Sequence, residues 1–216
     1  MGLARGSIPL RTIILLCRQH SLVCKGQGMN DPFFFGYGSL VNRDTHGYDT
    51  AYRARLKGWR RAWRHTHGRP VPFLTGVPCA NSEIDGLVAR VPGADWAALD
   101  LREEGYNRHA IADGLAHEAS HPVAAQIYAV PSASMVYPAD RAPILLSYLD
   151  VVSQGYLREF GEAGAQAFFA TTDGWDTPVR DDRADPVYPR HKVLTTVERG
   201  FVDDQLRQLG VQFIAN

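Results

Sequence analysis

The sequence predicts an α+β domain with a curled sheet or small mixed β-barrel and flanking helices. Three observations predict it. Short apolar runs, separated by turns rich in Gly, Pro, Asn and His, fill residues 33–130. Most of the helix-period patterning comes after them, and strands first with helices later is the order of an α+β fold. The composition, 45% hydrophobic and 21% charged, is ordinary for a globular chain and sufficient for a core without metal or disulfide staples.

Taken in order, Phe33, Phe34 and Phe35 form a strand that must stop at Gly36. Gly36-Tyr37-Gly38-Ser39 then reads as a tight loop, because two glycines permit backbone angles that a side chain forbids. Further strands are expected over 53–63, 73–77, 86–91, 106–112 and 124–130. Turns such as His67-Gly68-Arg69-Pro70 and Pro78-Cys79-Ala80-Asn81 separate them. A short helix over 95–104 has Asp95 placed to cap it. A longer one begins near Ala142, with Pro143 in the first turn, where a missing N–H costs nothing. Its apolar stripe is Leu145, Leu149, Val152, Tyr156 and Phe160, and Gly161 and Gly164 end it. The last helix opens with Thr195-Thr196-Val197-Glu198, a capping-box pattern, and ends at Gly210. Residues 173–190, rich in Pro, Asp and Arg, read as an ordered surface loop and a candidate for one wall of a pocket.

At 216 residues the chain suits one domain, expected over 29–216. Residues 1–28 read as an N-terminal extension outside the fold. Their apolar run is broken by Pro9 and Arg11, is too short to span a bilayer and lacks an A-x-A-like cleavage site, and a second Met stands at position 29. Arg5, Arg11 and Arg18, with no acid before Asp31, make mitochondrial targeting the alternative. Lys+Arg and Asp+Glu number 23 each, so the formal charge is zero and nothing points to nucleic acid or an anionic membrane as partner. The basic stretch 53–64 is interleaved with Trp59, Ala62 and Trp63 and reads as a solvated strand face. Cys17, Cys24 and Cys79 are odd in number with no CxxC pair, which argues against a disulfide framework and for a reducing cytoplasm.

Three constellations could carry chemistry. The glycine loop can aim several backbone N–H groups at one spot, which suits a carboxylate or a developing oxyanion. It lacks the further glycine, the following helix and the lysine of nucleotide-binding loops. In the short helix Trp96, Leu99 and Glu103 share a face, so Glu103 points inward if Trp96 and Leu99 do. Desolvation would then raise its pKa towards the range useful for proton transfer. Glu104 is turned away to solvent, and pairing of Glu103 with Arg102 or Arg108 is the structural alternative. The third is His117-Glu118-Ala119-Ser120-His121, which matches H-E-x-x-H in spelling. A zinc site needs that motif on a helix, whereas here Gly114 precedes it, Pro122 follows and a hairpin loop is expected, so no metal is assigned.

The order of an apolar strand, Phe35-Gly36-Tyr37-Gly38-Ser39-Leu40, and then Leu99-Asp100-Leu101-Arg102-Glu103 with Tyr106 and Arg108 behind it, resembles the gamma-glutamylcyclotransferase family, including its AIG2-like and ChaC-type members. Residues 56–63 resemble that family's first long strand after the loop, and residues 148–190 resemble bacterial members with an extended C-terminal part. The resemblance implies a small mixed β-barrel with flanking helices and no cofactor. It implies that Tyr37, Gly38, Ser39 and Leu40 receive a γ-glutamyl head group, that Tyr106 lines the pocket, and that Glu103 is the general acid/base. The reaction implied is ring closure of a small γ-glutamyl compound to 5-oxoproline with release of an amine or amino acid. A non-catalytic binding or interaction protein on the same fold is the alternative, and a zinc hydrolase using His117 and His121 a distant third.

Overall fold

Three consecutive phenylalanines make β1 (Phe33–Gly36), whose residues are all buried. Side chains alternate across a strand, so Phe33 and Phe35 enter one apolar cluster with Leu56, Val88 and Ile127, while Phe34 enters another with Leu99 and Tyr128. The computed structural model describes residues 31–137 and 141–214; the extension expected over 1–28 lies outside the described residues.

Around β1 run β2 (Ala51–Thr66), β3 (Phe73–Arg90), β4 (Asn107–Ala110), β5 (Leu115–His117) and β6 (Ala125–Ala129). Their order in the sheet is β4-β6-β1-β3-β2-β5. The β1–β6 pair is parallel and the other neighbours are antiparallel, so the sheet is mixed, as expected. Short strands β7 (Met135–Val136) and, after β8 (Ile144–Leu145), β9 (Thr172–Asp173) both pair with β2. The sheet curls until the start of β3 lies over β6, where the Val130 N–H donates to Thr75 Oγ1 at 2.9 Å. A separate parallel trio joins β11 (Phe213–Ile214), β10 (Val179–Arg180) and β8.

Several expectations need correction. Residues 73–77 and 86–91 are not two strands but parts of β3. Lys57 pairs with Glu83 and Trp59 with Pro78, so residues 79–82 are accommodated as an irregularity opposite Gly58, whose φ is +80°. Pro78 thus marks a slip in register, not a reversal of the chain. The same irregularity changes which side chains of β2 face inward. Before it, Arg53, Arg55 and Lys57 are exposed; beyond it, Arg61 is 1% exposed, so residues 53–64 are only in part a solvated face. The Arg61 guanidinium is buried because it finds acceptors in Tyr37 O, Thr171 Oγ1, Asp85 O and Tyr156 Oη, and lies over the Tyr156 and Phe168 rings.

The first helix, α1, is shorter than expected, at Ala97–Arg102, and Asp95 Oδ1 accepts from the Ala97 N–H. The long helix α2 runs Leu146–Ala170 and does not begin near Ala142. The Ile144 N–H donates to Pro178 O, which draws the chain into β8 before the helix can start. Gly161, at φ +69°, interrupts α2 without ending it, since Ala165, Phe168 and Phe169 beyond it are buried in the main core. The last helix, α3 (Thr196–Gln208), carries the expected capping box: Thr195 Oγ1 accepts from the Glu198 N–H, and Glu198 Oε2 from the Thr195 N–H. His117 ends β5 and the residues after it form bends, so the H-E-x-x-H spelling is not helical. No helix among the described residues is long and apolar enough to cross a membrane.

Candidate active site

The loop that leaves β1 folds back tightly on itself. A Cβ on Gly36 would lie 2.7 Å from Leu40 Cβ, and one on Gly86 of β3 would lie 2.4 Å from Gly36 O. A Cβ on Gly38 would approach the Tyr148 hydroxyl to 3.0 Å. Neither Gly36 nor Gly38 has a positive φ, and what the contacts require of both glycines is close approach. A 3-10 turn, Ser39–Val41, follows. At its start the Ser39 N–H points at the Tyr148 hydroxyl, while the N–H groups of Gly38 and Leu40 have no acceptor among the described residues.

The loop is held from behind. Asn42 Nδ2 donates to Val151 O and Gln154 Oε1 of α2, both at 3.0 Å, and Gly155 lets that helix approach the Asn42 backbone. The Tyr37 carbonyl faces both the Tyr156 hydroxyl at 2.9 Å and Arg61 Nε at 3.3 Å. Tyr156 has one proton for two carbonyls, Tyr37 O and Asp85 O, so the buried guanidinium supplies what the hydroxyl cannot. On the other side the Tyr48 N–H donates to His46 Nδ1, which leaves Nε2 to donate to Leu40 O at 3.1 Å. Burial, then the Arg102 charge, pushes the His46 pKa down to about 4, so the ring is neutral at neutral pH.

Glu103 caps the C-terminus of α1, its N–H donating to the carbonyl of the fully buried Leu99. That anchor turns the carboxylate inward; its side chain is 16% exposed, against 74% for Glu104, which pairs with Arg69. Burial lifts the Glu103 pKa above the ordinary carboxylate range, and the Arg102 and Arg190 charges pull it part of the way back. Arg102 Nε lies 3.2 Å from Glu103 Oε1, while the same guanidinium donates to Thr45 O at 2.8 Å and more distantly to Ser39 Oγ. Arg108 pairs with Asp100 instead.

Two adjoining cavities meet at Glu103. An inner recess of about 30 Å³ is walled by the loop from Phe35 to Leu40, and an outer chamber of about 180 Å³ opens towards Trp63, Phe73, Tyr188 and Arg190. Both are lined by Ser39, Leu74, Glu103, Tyr106 and Tyr148. The structure therefore brings together Gly38, Ser39, Glu103 and Tyr106. Tyr106 donates to Leu74 O at 3.0 Å and presents its ring to the cavity beside Phe73. Tyr37 and Leu40 touch the recess but are chiefly core: Tyr37 donates to Tyr128 O at 2.5 Å, and Leu40 is packed with Phe34 and Leu99. The sequence reading names Arg102 as a possible partner of Glu103, and the two do pair, but it gives no role to Tyr148, Tyr188 or Arg190. Tyr148 sits on a helix where an aromatic reads as core, and the only hint of Tyr188 and Arg190 was that residues 173–190 could wall a pocket.

Residues 33–157 match the family model described as ChaC-like protein, a span that includes the loop, Glu103, Tyr106 and Tyr148 and stops short of Tyr188 and Arg190. No curated protein matches the sequence. The fold is similar to that of the uncharacterized protein loc79017 from Homo sapiens, with TM-score 0.53 and 16% identity over 80% of this chain and 98% of that one. It is similar to a structure titled gamma-glutamyl cyclotransferase, at 0.51 and 15% over 80% and 99%. YkqA from Bacillus subtilis aligns at 0.50 and 16% over 67% of this chain but only 56% of its own.

Proposed function

This chain belongs to the ChaC-like family, and from that premise we propose that it is a cofactor-free γ-glutamylcyclotransferase in which Glu103 moves the proton. The observation that carries the reading is the position of the Glu103 carboxylate. It is largely withdrawn from water at the junction of two cavities, beside a loop with unengaged N–H groups.

In this reading the γ-glutamyl head group lies where the recess meets the chamber, beside Glu103, with its γ-carbonyl turned towards the loop. The leaving group extends through the outer chamber to its mouth. Glu103 takes a proton from the substrate's α-ammonium. The freed amine attacks the γ-carbonyl, forming the ring C–N bond, and charge develops on the carbonyl oxygen. The N–H groups of Gly38 and Leu40 are suited to donate to that oxygen, because they have no other acceptor to give up. Glu103 then returns the proton to the leaving nitrogen as its bond to carbon breaks. The second proton, shed by the ring nitrogen as the lactam forms, passes through the same carboxylate to the departing amine, which leaves as an ammonium. The products are 5-oxoproline and an amine or amino acid, and no water is consumed. An intramolecular nucleophile supplies much of the proximity advantage, so one positioned carboxylate is sufficient machinery. The raised pKa supports both halves of the task, since a stronger base takes the proton and still returns it.

The test is 5-oxoproline release from a panel of γ-glutamyl compounds, measured by mass spectrometry. Glu103→Gln should lower turnover by about 10²–10⁴-fold, the usual contribution of general acid–base catalysis. Its folding should be intact, because a carboxylate that burial penalises is being replaced by a neutral isostere. Undiminished turnover in that variant would refute the assignment.

A further inference from the structure

We propose that Arg190 is a specificity residue that binds a carboxylate on the leaving group. The inference rests on the cyclotransferase reading and adds to it the chemistry of the outer chamber.

The chamber's charges are already spoken for, with one exception. Arg102 is engaged by Glu103 and Thr45, and Glu104 by Arg69. Arg190 lines the chamber and makes no hydrogen bond or ion pair among the described residues, yet it lies close enough for its charge to act on Glu103. An anionic group on the departing fragment would find a guanidinium there with nothing to displace but water. A neutral or cationic amine would leave it unused. Around it, Tyr188 meets Tyr148 edge to face at 4.9 Å, a firm aromatic wall for the organic part of the same fragment.

The backbone that presents the exposed Arg190 side chain is held in place. The Tyr188 carbonyl accepts from the His191 N–H at 3.0 Å, closing a turn with Pro189 and Arg190 at its centre. The Tyr188 N–H donates to Ser147 Oγ. Upstream, Asp182 binds the start of α2 through the Ser147 N–H and hydroxyl. Next to it Arg183 forms a two-pronged ion pair with buried Asp150, at 2.7 Å on both prongs, and a third bond to Asp203 of α3. The fastened segment thus brings the exposed Arg190 side chain to the chamber mouth. It lies beyond residues 33–157, so this recognition belongs to the C-terminal part of this chain and not to the span matched by the family model.

The test compares γ-glutamylalanine with γ-glutamylethylamine, which differ only in the carboxylate, using the full chain. The wild type should favour γ-glutamylalanine in kcat/KM by about tenfold, the lower end for a hydrogen bond to a charged group. The preference should shrink as salt is added, because the site is open to solvent. In Arg190→Gln the ratio should fall towards one, and Arg190→Lys should retain part of it. The ratio is the proper readout: any effect of the Arg190 charge on Glu103 is common to both substrates and divides out. A wild-type ratio below about twofold, or one that survives Arg190→Gln, overturns this inference alone. No 5-oxoproline from either compound overturns this inference, and none from any member of the wider γ-glutamyl panel overturns the cyclotransferase reading as well.

Discussion

Asp182 offers the sharpest test of how the wall of the chamber is built. It is 1% exposed and accepts three hydrogen bonds, from the Ser147 N–H at 2.7 Å, the Ser147 hydroxyl at 2.5 Å and the Val187 N–H at 2.9 Å. One carboxylate therefore caps the N-terminus of α2 and ties the segment bearing Tyr188 to it. Asp182→Asn keeps the shape, removes the charge and turns one acceptor into a donor. That donor must face either the Ser147 or the Val187 N–H. Losing one hydrogen bond to a charged group costs about 1.5–3 kcal/mol, and a buried donor left unpaired costs about 1–3 kcal/mol. Their sum is about 2.5–6 kcal/mol, and for a chain of this size each kcal/mol lowers Tm by about 2–4 °C. A fall of about 10 °C is expected by circular dichroism, with a matching drop in urea midpoint at unchanged m-value. Burial alone would raise the Asp182 pKa, but the Ser147 side chain, then the Ser147 and Val187 N–H groups, outweigh it and hold it below the ordinary value. A lowered folded-state pKa places this stabilisation above the unfolded carboxyl pKa of about 3.9 and removes it as pH falls through the lower folded value. The gap between wild type and variant should therefore be full at neutral pH and narrow in acid. A loss under about 1 kcal/mol at pH 7, or a gap that widens in acid, would refute the reasoning.

Other outcomes follow from the same geometry. Arg102 lowers the Glu103 pKa, so Arg102→Met should raise it and move the acid limb of the kcat/KM profile to higher pH, with about tenfold loss for each pH unit below the limb; an unmoved limb would exclude the coupling. Gly155→Ala would set a Cβ 2.7 Å from the Asn42 backbone nitrogen, which cannot yield as a side chain could, and should cost about 1–3 kcal/mol in urea unfolding together with a raised KM as α2 is pushed off the loop. Thr195→Ala removes half of a capping box and should cost about 1 kcal/mol without changing kcat/KM, which places the effect on α3 and not on the site.

Much of this protein was legible in its sequence because the signals were local. Three phenylalanines before a glycine loop require a buried strand and a tight exit, and both are present. Thr195 and Glu198 stand three residues apart, and the capping box they spell formed, since both partners lie within one helical turn. Glu103 was read as inward by its spacing from Leu99, and it faces inward, although it caps the helix and is not within it. What the sequence could not decide was long-range. Arg61 looked solvated because its neighbours Arg53 and Arg55 are. It is buried because the β2–β3 irregularity turns it towards acceptors contributed by Tyr37, Asp85, Tyr156 and Thr171. Pro78 looked like a turn because a proline punctuates a chain locally, yet pairing with β2 carries the strand past it. Tyr148, Tyr188 and Arg190 carry no motif; they come to Glu103 only because Asp182 and Arg183 fasten a distant segment to α2 and α3. The sequence by itself determined the strand, the loop and the acid, whose geometry is set within a few residues. Tertiary structure alone decided the wall that faces them, because its position depends on hydrogen bonds between segments far apart in the chain.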